Sequence, residues 1–372
     1  MKIAIDLLWV KPKKSGGIEA YIRNLLDGFM KLSNNNEYVL ILAKDNEDTF
    51  NKYLKDNRFT KIVCNIKSKN VIGRIVWQNL KLNKVLEKSK ISLCFEPVYS
   101  KPIINNKNIK FITTIHDLQA LHYPEYFSKI KYYWMKFSWW RAITTSVKVI
   151  AISNFVKEDI LSRYKIEPQK VETIYNPVII EDDFEDYNVI EDRYNVKKNE
   201  YYYTIAQLLP HKNLKTLINV MEEIKKRKLN LPTKLIISGV GGKSKKELID
   251  IINNKDLNNS IIITGFIDNK ERNTLYMNCR SFLFPSIFEG FGMPTIEAMM
   301  IGANVITTKK ASLFEVTNGK ATYVENPFDV NDWIDKLIQI KEKKKYKLNF
   351  NEYNLINVSN KYLTIFSEAE EK

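Results

Sequence analysis

The sequence is short of the residues that fibrous, low-complexity and disulfide-stapled proteins depend on. Its 372 residues include 12 glycines, 11 prolines and 3 cysteines. So little glycine and proline excludes collagen-like and low-complexity disordered chains. Cys64, Cys94 and Cys279 are odd in number, widely spaced and never arranged as Cys-x-x-Cys. That excludes a disulfide framework and predicts buried, reduced thiols in a cytosolic protein. Histidine is equally scarce, with only His116, His122 and His211. The step from His116 to His122 does not align two ligands on one helix face, and no His-Glu-x-x-His segment occurs, so zinc is poorly supported. No Asp-x-Asp occurs either, which argues against a divalent ion held through such a pair; no metal is expected. No run approaches the roughly 18 apolar residues of a spanning helix. The opening Met1-Lys2-Ile3-Ala4-Ile5-Asp6 is too short and too polar to read as a signal peptide.

What is abundant is positive charge. Lys and Arg total 58 against 43 Asp and Glu, a formal net charge of +15. Such a field attracts anions: nucleic acid, acidic lipid or phosphorylated substrates. A bias toward Lys, Asn and Ile accounts for most of the lysines equally well. Hydrophobic residues at 44% and charged residues at 27% are ordinary for a soluble globular chain, and the length suits two domains.

Apolar runs alternate with amphipathic stretches throughout. Strands are expected at 2–6, 38–43, 61–66, 91–95, 110–115 and 147–153, then at 201–206, 234–238, 261–265, 281–285 and 304–308. Helices are expected between them at 18–32, 74–89 and 128–145, then at 213–228, 244–253, 271–279 and 294–302. Near-continuous apolar strands alternating with helices predict parallel sheets covered on both faces. No repeat of 20–50 residues is visible. The acidic stretch Glu181-Asp182-Asp183-Phe184-Glu185-Asp186 breaks the rhythm after Asn176-Pro177. It places a first domain at 1–180, a linker at 181–196 and a second domain at 197–345; separately, a C-terminal helix is expected at 346–372, packing back on the first domain. The expected fold class is α/β, with two doubly wound parallel-sheet domains facing a cleft. Ligands of such sheets sit outside the carboxyl ends of the strands.

Four motifs lie at those ends. Ser15-Gly16-Gly17-Ile18-Glu19-Ala20-Tyr21 opens a helix after the first strand. Paired glycines let a ligand approach the backbone at a helix N-terminus, although an ordinary glycine turn reads the same way. His116-Asp117-Leu118 ends an apolar strand; a histidine there can donate to a substrate oxygen or be a satisfied structural residue. Gln207-Leu208-Leu209-Pro210-His211-Lys212-Asn213 leads into a helix. Lys212 can meet phosphate as a point charge or be a solvated cap residue. The most specific is Pro285 through Ala298, with Glu289-Gly290-Phe291-Gly292-Met293-Pro294 leading into a helix that carries Glu297. Loop amides and a helix start suit a diphosphate, and carboxylates suit paired sugar hydroxyls because they only accept. Gly239-Val240-Gly241-Gly242-Lys243-Ser244 resembles a P-loop, but the pattern demands glycine at position 237, which is Ile237. Its glycines still leave room for a nucleotide base. Finally, the segment Lys129 to Arg141 mixes basic and aromatic residues. As a helix, it puts Ile130, Tyr133, Trp134 and Phe137 on one face, either buried on the sheet or laid on an anionic bilayer. Stacking on bases is a further possibility, without a nucleic-acid motif to support it.

Together these residues resemble the retaining glycosyltransferases of family 4, whose two Rossmann-like domains form the GT-B fold. Gly16-Gly17-Ile18-Glu19-Ala20-Tyr21 is similar to the family's N-terminal Gly-Gly loop. Ile150 to Phe155 and Ile174 to Val178 are similar to its later N-domain segments. Leu209-Pro210-His211-Lys212-Asn213 matches its Lys-Asn segment, and Glu289 to Glu297 its paired-Glu signature. The likeness runs in order over residues 1 to about 330. One departure is that Ala206-Gln207 stand where the family usually has Gly-Arg.

The resemblance implies a metal-independent transfer of a hexose (mannose, glucose, rhamnose or N-acetylhexosamine) from a UDP- or GDP-linked donor, without a cofactor. It implies a glycan or polyprenyl-linked acceptor bound by the first domain, in surface polysaccharide assembly at the inner face of the plasma membrane. Peripheral contact with anionic lipid is expected, and nucleic acid is not. By position, Gly16 and Gly17 would face the diphosphate, Lys212 would neutralise it, and His116 would touch the sugar. Glu289 would hold the sugar, with Gly290, Phe291, Gly292 and Met293 offering backbone donors, and Glu297 the ribose. Gln207, Gly239 and Phe266 complete the donor-binding set. Two alternatives stay open: a sugar-nucleotide 2-epimerase of the same architecture, and a non-catalytic sugar or nucleic-acid binder.

Overall fold

A computed structural model describes residues 1–12, 16–104, 106–340 and 344–371. The apolar runs do become strands: Ile3 to Ile5 and Val39 to Ala43 are buried on both faces, which only a sheet covered on both sides achieves. The chain divides into two units, 1–178 with 351–372, and 179–350.

The first unit holds a seven-stranded parallel sheet. Its strands are β1 (Lys2–Asp6), β2 (Glu37–Ala43), β3 (Phe59–Cys64), β4 (Leu93–Glu96), β5 (Lys110–Ile115), β6 (Lys148–Ala151) and β7 (Val171–Thr173). Their order is 3-2-1-4-5-6-7, so the winding direction reverses between β1 and β4. Helix Gly17–Lys31 and the C-terminal helix Leu355–Glu371 share one core on one face, with Tyr21, Phe29, Tyr362 and Phe366 inside it. Tyr21 and Tyr362 hydroxyls meet at 2.5 Å there. The opposite face is closed by Leu82, Leu86 and Phe111.

The second unit holds a six-stranded parallel sheet. Its strands are β8 (Tyr201–Ile205), β9 (Lys234–Ser238), β10 (Ile261–Gly265), β11 (Ser281–Phe284), β12 (Val305–Thr308) and β13 (Thr322–Val324). The order is 10-9-8-11-12-13, with the reversal between β8 and β11, which pair through Ser281↔Tyr202 and Phe282↔Tyr203. Its core gathers Leu217, Met221, Ile237, Leu283 and Trp333.

Several expectations need correction. The stretch 181–196 is no bare linker. It forms helix Tyr187–Tyr194, and Arg193 pairs with Glu271 at 2.7 Å while Asn273 donates to Glu181 O at 3.0 Å. The helix expected at 74–89 starts at Val71 and widens into a π turn at Gln78–Leu82. Edge strands β7 and β13 and helices Asn154–Arg163 and Val330–Gln339 were not anticipated. The aromatic helix Lys129–Thr145 does form, but Ile130, Tyr133, Trp134, Phe137 and Trp140 point outward; Ile130 is 86% exposed. The core-facing stripe is Met135, Trp139, Ala142 and Ile143. The helix carries two apolar stripes, and the smaller, more aliphatic one packs inward.

Candidate active site

In the second unit the loops after β8 and β11 lie side by side because those strands are neighbours. The β8 loop ends in a 3-10 turn, Pro210–Lys212. The β11 loop is tied to it by Ile287 N donating to His211 O at 2.8 Å. Burial, reinforced by the Lys212 charge, pulls the His211 pKa down to about 4. This histidine is therefore neutral at neutral pH and serves as a strut.

That tie brings Lys212 and Glu289 together. Lys212 Nζ donates to Glu289 Oε1 at 2.5 Å. Ser286 Oγ also donates to Oε1, at 2.5 Å. Oε2 receives no hydrogen bond among the described residues, which leaves one carboxylate oxygen to accept from a ligand hydroxyl. Ser312 Oγ donates to the Glu289 carbonyl at 2.9 Å and fixes its backbone. Gly292 then turns the chain at φ +83°, and a Cβ there would sit 2.6 Å from Leu313 Cδ2, so only glycine fits. The helix Met293–Ile301 starts at once, so its N-terminal dipole follows Glu289 within the same short loop. Gly290 and Phe291 are buried within this loop. Glu297, one turn into the helix, is buried; its Oε2 accepts from Tyr276 OH at 3.3 Å and its Oε1 lies 3.6 Å from Arg272 Nη1.

The other residues of this unit expected to bind the donor follow the carboxyl ends of β8, β9 and β10. Gln207 is exposed after β8. Gly239 follows β9 with φ +87°, where a Cβ would come within 3.2 Å of Ala206 O. Phe266 follows β10 and is 78% exposed, its ring edge over Gly241 at the start of helix Gly242–Asn254. The ring therefore contributes little to the core.

Gly16, Gly17 and His116 belong to the first unit. Both glycines are exposed at the start of helix Gly17–Lys31; Ser15 lies outside the described residues. His116 ends β5, and burial lowers its pKa to about 4. The neutral ring is assigned the Nε2–H tautomer, donating to Pro97 O at 2.8 Å and leaving Nδ1 as an acceptor. Its ring stands edge-on to Tyr21, with centroids 5.0 Å apart. Among the described residues no three His, Cys, Asp or Glu side chains gather as a metal site, and no helix is long and apolar enough to cross a membrane.

Three parts of the site escaped the sequence. Ser286 lies in the quoted loop without any signature of its own. Arg272 and Tyr276 reach Glu297 from a different helix, over a separation that local pattern does not encode.

Comparison with known proteins agrees with this architecture. The family description Glycosyltransferase Family 4 matches residues 15–182, and Glycosyl transferases group 1 matches residues 188–355. The chain is 25% identical over 78% of both chains to the O-antigen chain mannosyltransferase RfbU of Salmonella typhimurium. It is 26% identical to O-antigen chain mannosyltransferase B of Escherichia coli, over 59% of this chain and 58% of that one. Among solved structures, Anabaena HepE in complex with UDP and glucose aligns with a TM-score of 0.72 at 17% identity, covering 99% and 100% of the two chains. Sucrose-phosphate synthase of Thermosynechococcus elongatus aligns at 0.78 with 15% identity, covering 99% and 98%. Two doubly wound parallel sheets, together with these structural likenesses, give the chain the GT-B fold. The chain belongs to the family 4 glycosyltransferases.

Proposed function

We propose that this glycosyltransferase moves a hexose, with retention, from a UDP- or GDP-linked sugar to a lipid-linked or oligosaccharide acceptor in surface polysaccharide assembly. The observation that carries the reading is the Lys212–Glu289 pair, 2.5 Å apart at the strand-order reversal of the second unit. Mannose is the first candidate sugar, because relatives at 25% and 26% identity are mannosyltransferases by name.

The chemistry follows from charge. As the sugar–diphosphate bond breaks, negative charge grows on the leaving diphosphate and positive charge on the sugar ring. Lys212 and the Met293–Ile301 helix start stabilise the first; the Glu289 carboxylate stabilises the second while accepting from a sugar hydroxyl. The acceptor attacks on the face the diphosphate leaves, and a diphosphate oxygen takes its proton, so Glu289 is not a nucleophile. Glu297 accepts from the ribose, and Phe266 stacks on the base. Lys212 does the work of a cation on this reading, and the expected outcome is equal turnover with and without EDTA.

The protein works at the cytoplasmic membrane face, held by the outward aromatic stripe of helix Lys129–Thr145 among its lysines. A panel of UDP-, GDP- and dTDP-sugars with lipid-linked acceptors, read as nucleotide release, tests the activity. Release with one donor, lost in Lys212→Met and Glu289→Gln, supports it; no release from any donor overturns it.

A further inference from the structure

The first unit has its own strand-order reversal, between β1 and β4. A cavity of about 470 Å³ opens at their carboxyl ends, between helices Val71–Trp77 and Lys129–Thr145. Five of its lining residues are basic: Lys11, Arg74, Lys101, Lys131 and Arg141. No carboxylate lines it among the described residues. Arg74 Nε is buried without a hydrogen-bond partner among those residues. Lys101 Nζ is held in place by Thr145 O and Oγ1, both at 2.7 Å. Neither Arg74 nor Lys101 has an ion-pair partner among the described residues.

Two carboxyls sit behind the wall. Gln78 Nε2 donates to Asp6 Oδ2 at 2.6 Å, and Ser100 Oγ donates to Glu96 Oε2 at 2.7 Å. Burial raises the pKa of Asp6, and burial together with Asp6 raises that of Glu96 well above the usual carboxyl range. Adjacent carboxyls in such a place retain a proton between them. They offset about one of the positive charges and leave the cavity cationic. Burial, with Arg141 and Lys170 nearby, brings the Lys101 pKa down to about 7, so an anion alongside would restore its full charge.

Beside the basic residues and a few neutral polar ones, Gln78, Asn79, Ser100 and Ser138, the wall has an aromatic part made of Trp9, Tyr99, Trp134 and Phe137. About one helical turn before the lining residues Ile75 and Trp134 stand Ile72 and Ile130, both exposed, so helical spacing carries each apolar slope outward from the cavity. Neither helix carries an acidic residue. A cationic pocket that opens between two apolar slopes is complementary to an amphiphile with a multiply charged head.

We infer that this cavity binds the diphosphate of a lipid diphosphate, with the hydrocarbon chain lying along the Ile72 and Ile130 rim. A diphosphate fits better than the single charge of a phosphodiester headgroup because several cations converge on it. The inference deepens the proposed reading of a lipid-linked acceptor and rests on it for the identity of the chain.

The test uses the full chain and tryptophan fluorescence, since Trp9 and Trp134 line the cavity. The probes are farnesyl diphosphate below its micellar concentration, inorganic diphosphate, farnesol, and vesicles of phosphatidylcholine with or without phosphatidylglycerol. Farnesyl diphosphate is expected to half-saturate at a concentration at least about tenfold below that of either fragment alone. Arg74→Gln and the surface change Lys131→Ser each raise it severalfold or more. Ile130→Ser weakens farnesyl diphosphate but leaves inorganic diphosphate unchanged, and far-UV circular dichroism checks that each variant is folded. Equal binding of farnesyl and inorganic diphosphate, unchanged binding in both charge variants, or saturation by anionic vesicles alone would overturn the assignment. No donor is present in this assay. Donor turnover without farnesyl diphosphate binding therefore sinks the cavity alone, and binding without turnover sinks the transfer reaction alone.

Discussion

Replacing Glu289 by Gln separates two roles of one carboxylate. In the structure it neutralises Lys212 across 2.5 Å, with side chains 20% and 13% exposed for Lys212 and Glu289. On the proposed reading, an arriving diphosphate competes with that carboxylate for the same ammonium. The amide keeps the shape and can still accept a hydrogen bond, but it carries no charge. A charge-assisted contact is worth roughly 1.5–3 kcal/mol and a neutral one about 1. The difference, on the order of 1 kcal/mol, returns to the diphosphate as nucleoside diphosphate bound roughly fivefold to tenfold tighter. The same change removes the negative charge beside the sugar, and transfer falls by about 10²–10³-fold, or roughly 3–4 kcal/mol. The assays are calorimetric titration with the nucleoside diphosphate product and nucleotide release from the sugar donor. Weaker product binding in Glu289→Gln, or transfer within about threefold of wild type, would refute the shared-lysine argument.

Other consequences are as specific. Phe266→Ala removes an exposed ring, so urea stability stays within about 0.5 kcal/mol of wild type while nucleotide affinity drops by about 1–3 kcal/mol; equal affinity would deny the stacking role. Gly292→Ala places a Cβ 2.6 Å from Leu313 Cδ2 at φ +83°, and chemical denaturation should show a loss of about 2–3 kcal/mol. His211, at about 4 when folded, binds fewer protons than in the unfolded chain, where it titrates near 6.5. Its contribution is fully present above about pH 6.5 and is lost as pH falls toward 4, on the order of 2–3 kcal/mol; His211→Asn should flatten the stability profile across that window.

Much of this was legible because buried parallel strands read as near-continuous apolar runs. β1, β5, β9 and β10 have the expected bounds for that reason. Three-residue edge strands such as β7 and β13 have no run to read. Helix Lys129–Thr145 was legible as a helix but not in its orientation. Both of its apolar stripes satisfy the same periodicity, and only the packing of Met135 and Trp139 decides which one turns inward. For the site, Lys212 and Glu289 were each readable as residues at strand carboxyl ends. Their contact was not, because it depends on β8 and β11 being neighbours across 77 residues. The Ser286 clamp and the Arg272–Tyr276 support of Glu297 are likewise consequences of packing.

The most direct measurement is a crystal structure of the nucleoside diphosphate complex. The account predicts a diphosphate oxygen within hydrogen-bond reach of Lys212 Nζ at the start of helix Met293–Ile301, with the ribose at Glu297. Nucleotide bound elsewhere, with Lys212 still committed to Glu289 alone, would contradict it.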